Sequence, residues 1–141
     1  MMRHLLLITA LAAVSPAWAC EGITAKDAWL REAPPGATVM AGYVTLVNNS
    51  DTPRTLREIR SKDFGAIEFH RTVTENGESR MQMLDNVALP ARQSTSLQPG
   101  GMHLMMFRVA RPLKAGDSVK LNLYCGRKHP LRVDFAVRAA P

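Results

Sequence analysis

The sequence predicts an all-β domain, a β-sandwich or small Greek-key barrel of about seven to nine strands. Three observations carry that expectation. Beyond residue 19 no stretch sustains the 3.6-residue apolar period of an amphipathic helix. Short segments rich in Val, Thr, Leu and Tyr recur every 8–12 residues or so, the spacing of sandwich strands. Between them lie clusters of Gly, Pro, Asn and Asp that turn the chain.

Residues 1–19 read as an export signal. Met1-Met2-Arg3-His4 gives a positive start, Leu5 to Val14 is apolar or small throughout, and Ala17-Trp18-Ala19 has the small-x-small form of a cleavage site. Cleavage is expected between Ala19 and Cys20. The run is too short to cross a bilayer as an ordinary helix. A lipid-modified Cys20 would need a Leu-small-small approach, which Pro16-Ala17-Trp18-Ala19 does not supply. Residues 20–141 are then expected to be one exported, periplasmic domain, large enough for a single core and with no membrane insertion after cleavage.

Within that domain, Ala28 to Arg31 leads into Ala33-Pro34-Pro35-Gly36, which stops a strand. Val39 to Val47 is apolar and β-rich, and Asn48 to Pro53 is turn chemistry. Leu56 to Arg60 alternates. Ile67 to Thr74 and Arg80 to Leu84 flank Asn76-Gly77, the strongest short hairpin signal. Gln98-Pro99-Gly100-Gly101 turns into Met102 to Val109, Arg111 to Asp117 is a loop, and Val119 to Tyr124 and Leu131 to Val137 complete the strands.

The chain has two cysteines, Cys20 and Cys125. In an oxidising compartment an even count reads as a disulfide. It would close a loop of roughly a hundred residues and stabilise the fold by on the order of 4 kcal/mol. The formal net charge is +6, but the arginines are scattered and aromatics are few, which argues against nucleic acid as a partner. The basic surface suits solubility or an acidic protein partner.

The chemistry concentrates in His70, Met81, His103 and Met105, spaced His-x10-Met-x21-His-x-Met. Two imidazoles and two thioethers form a soft, neutral donor set suited to Cu(I) rather than Mg²⁺ or Ca²⁺. Strand parity puts Met102, Leu104 and Met106 on an apolar, core-facing side and His103 with Met105 on the opposite, solvent side. Ile67, Phe69 and Val73 likewise leave Glu68, His70 and Thr72 on the other face. A two-residue turn at Asn76-Gly77 would set Glu75 against Glu78, His70 against Met83 and Thr72 against Met81. Met81 would then be diagonal to His70, and pairing alone leaves Met81 and Met83 both open as the hairpin ligand. Met40 is assigned to core or near-site packing.

That spacing resembles the ligand motif of the PCuAC family of periplasmic copper chaperones. The resemblance extends to Asp27 to Gly36, Met40 to Leu46 and Pro99 to Met105, and covers nearly the whole of residues 20–141. It implies a cupredoxin-like β-sandwich binding Cu(I) through His70, Met81, His103 and Met105. It also implies delivery of copper to the binuclear centre of cytochrome c oxidase, alongside thioredoxin-like copper chaperones. Here Arg71-Thr72-Val73-Thr74 follows the first His, where many members carry more Met, leaving Met83 as the nearest spare sulfur.

The chemistry suits a monomeric carrier with no catalytic task. Thioethers cannot oxidise to disulfides, and neutral ligands hold Cu(I) less tightly than thiolates would. Two rival readings stand beside it. Cys125-Gly126-Arg127-Lys128-His129 has the Cys-x3-His look of a blue-copper electron carrier, although no Met follows His129. The other rival is an exported Ig-like interaction module in which the four residues are coincidental. Nothing resembling a hydrolase or nucleophile motif argues for an enzyme.

Overall fold

The computed structural model describes residues 20–140. The signal segment lies outside them. The described residues form an all-β fold of short strands: β1 (Ile23–Arg31), β2 (Val39–Asn48), β3 (Arg54–Leu56), β4 (Glu58–Arg60), β5 (Phe64–Glu75), β6 (Glu78–Leu84), β7 (Val87–Leu89), β8 (Ser94–Leu97), β9 (Met102–Val109), β10 (Ser118–Tyr124) and β11 (Leu131–Arg138). Nine of these make one mixed sheet in the order β4-β10-β11-β1-β2-β9-β5-β6, with β8 added on β2; β3 and β7 pair separately.

Strand β2 changes partner along its length. Its first half pairs with β9, from Val39↔Phe107 to Gly42↔Leu104, and its second half with β8, from Val44↔Leu97 to Val47↔Ser94. Gly42 sits at the changeover because there is no room for a side chain. A Cβ there would lie 2.9 Å from Leu30 Cδ2 and closer still to Met106 Cε. Leu30, Met40, Leu46, Phe69, Leu104, Met106, Leu121 and Phe135 are among the residues that form the core.

Two sequence expectations need correction. Leu56 to Arg60 is two strands: Arg57 breaks the run, its N–H bonding the Tyr124 carbonyl at 2.8 Å, so β3 joins β7 while β4 joins β10. Strands β7 and β8 carry too few residues for a period-2 signal and were not expected. The hairpin, by contrast, forms in the expected register, with Glu75↔Glu78, His70↔Met83 and Thr72↔Met81. Asn76 and Gly77 both adopt positive φ (53° and 79°), as a tight primed turn requires.

Buried Asn48 locks the crossover after β2. Its amide nitrogen donates to the carbonyls of Thr52 and Leu89, both at 2.9 Å. Its side-chain oxygen accepts from the N–H of Ser50 at 3.0 Å and from the Ser50 hydroxyl at 2.7 Å. Asn48→Ala should therefore lower unfolding free energy by about 2–3 kcal/mol, because it orphans several buried groups at once. Urea denaturation measures this, and Asn49→Ala is the comparison: its bonds to the Gly22 carbonyl and Thr24 hydroxyl are exposed, so it should lose about 1 kcal/mol or less.

Candidate metal centre

Three adjacent strands bring the candidate residues to one face of the sheet. On β9, His103, Met105 and Phe107 alternate with core-facing Leu104 and Met106. On β5, Glu68 and His70 alternate with Phe69, which lies opposite Leu104. His70 is the direct cross-strand partner of His103 on one side and of Met83 on the other. Glu68 lies opposite Met105, which places Met105 diagonal to His70. The two imidazole rings are 6.0 Å apart between centroids, and the Phe107 ring lies 6.5 Å from that of His70.

The expectation of an open solvent face fails at its centre. His103 is only 5% exposed and Met105 is half-buried. Parity assigned the faces correctly but could not reveal that neighbouring side chains cover the outer one. The opening lies on the β6 side, at the free edge of the sheet, where Met81 and Met83 are 58% and 60% exposed. The Thr72 hydroxyl points to Met81 Sδ at 3.6 Å.

Each imidazole has one nitrogen engaged and the other bare. His103 Nδ1 lies 3.0 Å from the Gly101 carbonyl, which can only accept, so Nδ1 carries the proton. Gly101 is set by the Pro99-Gly100-Gly101 turn, where Gly100 adopts φ 85° and the Gly101 N–H bonds the Gln98 carbonyl at 3.0 Å. His70 Nε2 lies 2.8 Å from a Glu68 carboxylate oxygen, so Nε2 is the donor there. The remaining atoms, His70 Nδ1 and His103 Nε2, are buried without hydrogen-bond partners. Buried polar atoms are normally satisfied, so two bare nitrogens on adjacent histidines form a donor pair that fits a metal ion. Among the described residues no three His, Cys, Asp or Glu side chains group as a metal site, and the other donors beside the two imidazoles are the thioethers of Met81, Met83 and Met105, a set suited to a soft ion.

Parity places Glu68 on the His70 face, but the sequence assigns no role to Glu68, Gly101 or Phe107. The roles of Gly101 and Phe107 depend on packing that has no short-range signature.

Cys20 and Cys125 are disulfide-bonded with Cα atoms 5.1 Å apart, as expected of an exported chain. That bond removes the thiolate a blue-copper site would need, so the electron-carrier alternative loses its ligand.

Fold and donor set together define a cupredoxin-like domain of the PCuAC kind. The chain belongs to the family described as putative lipoprotein LpqE-like, whose pattern matches residues 23–137. Among characterised folds it is similar to the copper-bound PCuAC domain from PmoF2, with TM-score 0.72 and 25% identity over 84% of this chain and 94% of that one. It is also similar to CuI-DR1885 from Deinococcus radiodurans, with TM-score 0.61 and 30% identity over 90% of this chain and 81% of that one. A putative lipoprotein, Lxx21020, of Leifsonia xyli subsp. xyli is 30% identical over 112 residues, which is 79% of this chain and 66% of that protein. RP573 of Rickettsia prowazekii is 29% identical over 60% of this chain and 47% of its own length.

Proposed function

We propose that this protein is an exported Cu(I) carrier that binds one ion through His70 Nδ1, His103 Nε2, Met105 and a hairpin methionine. On this reading it acts in the periplasm as a monomer and passes the ion to an acceptor in cytochrome c oxidase assembly. A thioredoxin-like copper chaperone is a further partner. The observation that carries the reading is the pair of bare, buried imidazole nitrogens beside a rim of thioether sulfurs. The copper-bound state of the PmoF2 domain and of DR1885 supports it by likeness.

Chemically, the protein's residues do three things. His103 and Met105 form a sheltered inner half-site. His70 bridges from it toward the edge strand. The exposed sulfurs of β6 offer the position where an incoming ligand can replace an outgoing one. Burying two neutral donors and exposing the soft ones suits associative exchange, and the absence of thiolates keeps release to a cysteine-bearing acceptor downhill.

An anaerobic titration with Cu(I) against a competing chelator tests this. Wild type should bind one equivalent. The ladder sets Met83 opposite His70 and Met81 diagonal to it, and both sulfurs are exposed on the site's rim. Met81→Ala and Met83→Ala should each weaken binding by about tenfold or less, because either sulfur can substitute for the other. The double variant should lose considerably more. Additive losses in the double variant would argue against substitution, and no loss in any of the three would remove β6 from the site.

A further inference from the structure

Glu68 has no place in the ligand set, yet its carboxylate makes the hydrogen bond that decides which face of His70 is available. We propose that Glu68 is a positioning residue that holds His70 with Nε2–H donated and Nδ1 presented to the metal. The inference deepens the Cu(I)-carrier reading and rests on it.

The geometry is specific. Glu68 Oε2 lies 2.8 Å from His70 Nε2, with the carboxylate 38% and the imidazole 15% exposed. The two side chains are i and i+2 on β5, so they share a face without any turn between them. An ionised carboxylate offers only acceptors, so a neutral His70 must place its proton on Nε2, leaving Nδ1 as the only lone-pair nitrogen. Nδ1 is the orphaned, buried atom. Were the ring turned over, Nδ1–H would face Glu68 and Nε2 would take the inner position, shifting the donor atom along the ring.

His103 is held in the opposite sense, Nδ1 on the Gly101 carbonyl and Nε2 bare. The two histidines thus present different nitrogens, one fixed by a side chain and one by the backbone. Only the first can be changed by substitution. Loss of such an orienting partner typically weakens metal binding by roughly tenfold to a hundredfold. Glu68 also lies opposite Met105 on β9, so it borders the half-site without contributing a soft donor.

The test compares wild type, Glu68→Gln and Glu68→Leu. Long-range ¹H–¹⁵N spectra of the apo proteins read the His70 tautomer and ring order without any copper. Anaerobic Cu(I) competition then reads affinity. Wild type should show a single Nε2–H form of His70, and Cu(I) should shift its Nδ1 resonance together with Nε2 of His103. Glu68→Gln keeps an acceptor oxygen and should retain both the tautomer and affinity within a few-fold. Glu68→Leu should give mixed tautomers and the tenfold to hundredfold loss.

A single, unchanged tautomer and wild-type affinity in Glu68→Leu would overturn the proposal. So would equal weakening in Gln and Leu variants with the tautomer preserved in Gln, which would assign the effect to charge. If wild type binds no Cu(I), the carrier reading falls while the apo spectra still report whether Glu68 orients His70.

Discussion

Replacing His103 with Leu should nearly abolish the response to Cu(I) while leaving the apo protein as stable as before. The two halves of that expectation come from the same atoms. His103 is 5% exposed and its Nε2 is buried with no partner, a condition that costs roughly 1–3 kcal/mol in the apo fold. Leu removes that orphan, roughly keeps the volume, and suits a buried strand position. It forfeits the Nδ1 bond to Gly101, worth about 1 kcal/mol. The Gly101 carbonyl is not stranded, because it also accepts from the Thr72 N–H at 3.3 Å. The terms nearly cancel, so apo stability should fall within about 1 kcal/mol of wild type or rise above it.

Copper binding has no such compensation, since the sheltered half-site loses one of its two donors. Affinity should drop by more than the roughly hundredfold that a lost orienting partner costs. Thermal unfolding with and without anaerobic Cu(I) reads both at once. Wild type should gain about 2.7 kcal/mol at a hundredfold excess of Cu(I) over Kd, and His103→Leu at the same Cu(I) concentration should gain less than about 0.4 kcal/mol. A variant several kcal/mol less stable without copper would make the imidazole a structural group. A variant that still gains as much as wild type would exclude it as a ligand. The expected pattern, function lost at no cost in stability, is what a site held open for a ligand produces.

How much of this could be read from the chain depends on how locally each feature is encoded. The hairpin register followed from Asn76-Gly77 alone, because a two-residue turn with two positive-φ positions leaves one pairing. The faces of β9 followed from the alternation of His103 and Met105 with Leu104 and Met106. Burial of His103 did not, since it depends on strands β2 and β5 flanking β9, and the sequence separation of those partners carries no short-range signal. The division of Leu56 to Arg60 between two sheets was equally non-local: each half alternates properly, and only the destination differs. The spacing of the candidate residues was legible because it is a sequence pattern. The protonation arrangement behind it was not, because the Gly101 carbonyl is a backbone group that no residue identity announces.

Cys125→Ser should lower unfolding free energy by about 2–5 kcal/mol, and the loss should be concentrated at one end of β1. The bond spans a separation of 105 residues, and the chain-entropy model assigns about 4.7 kcal/mol to a loop of that size. Position makes the bond matter further. β1 pairs with β11 only over Trp29–Arg31, whereas its first half, Ile23 to Lys26, pairs with β2 alone. The disulfide ties the residues just before that half to the residue after β10, a strand with which β1 does not pair. Amide exchange in residues 22–26 should therefore accelerate in Cys125→Ser more than exchange in β9, and Cu(I) affinity should change little. Reducing the wild type should reproduce the variant, and reducing the variant should do nothing. Equal denaturation midpoints for oxidised and reduced wild type would show that the bond contributes no stability. The same bond bears on the family's description as lipoproteins, because a Cys20 sulfur bonded to Cys125 is not available to form a lipid thioether. Intact-mass analysis of the exported protein should find Cys20 without acyl chains, two hydrogens lighter before reduction than after it. A mass carrying a diacylglyceryl group would overturn the disulfide in the mature protein, and with it the stability predicted here.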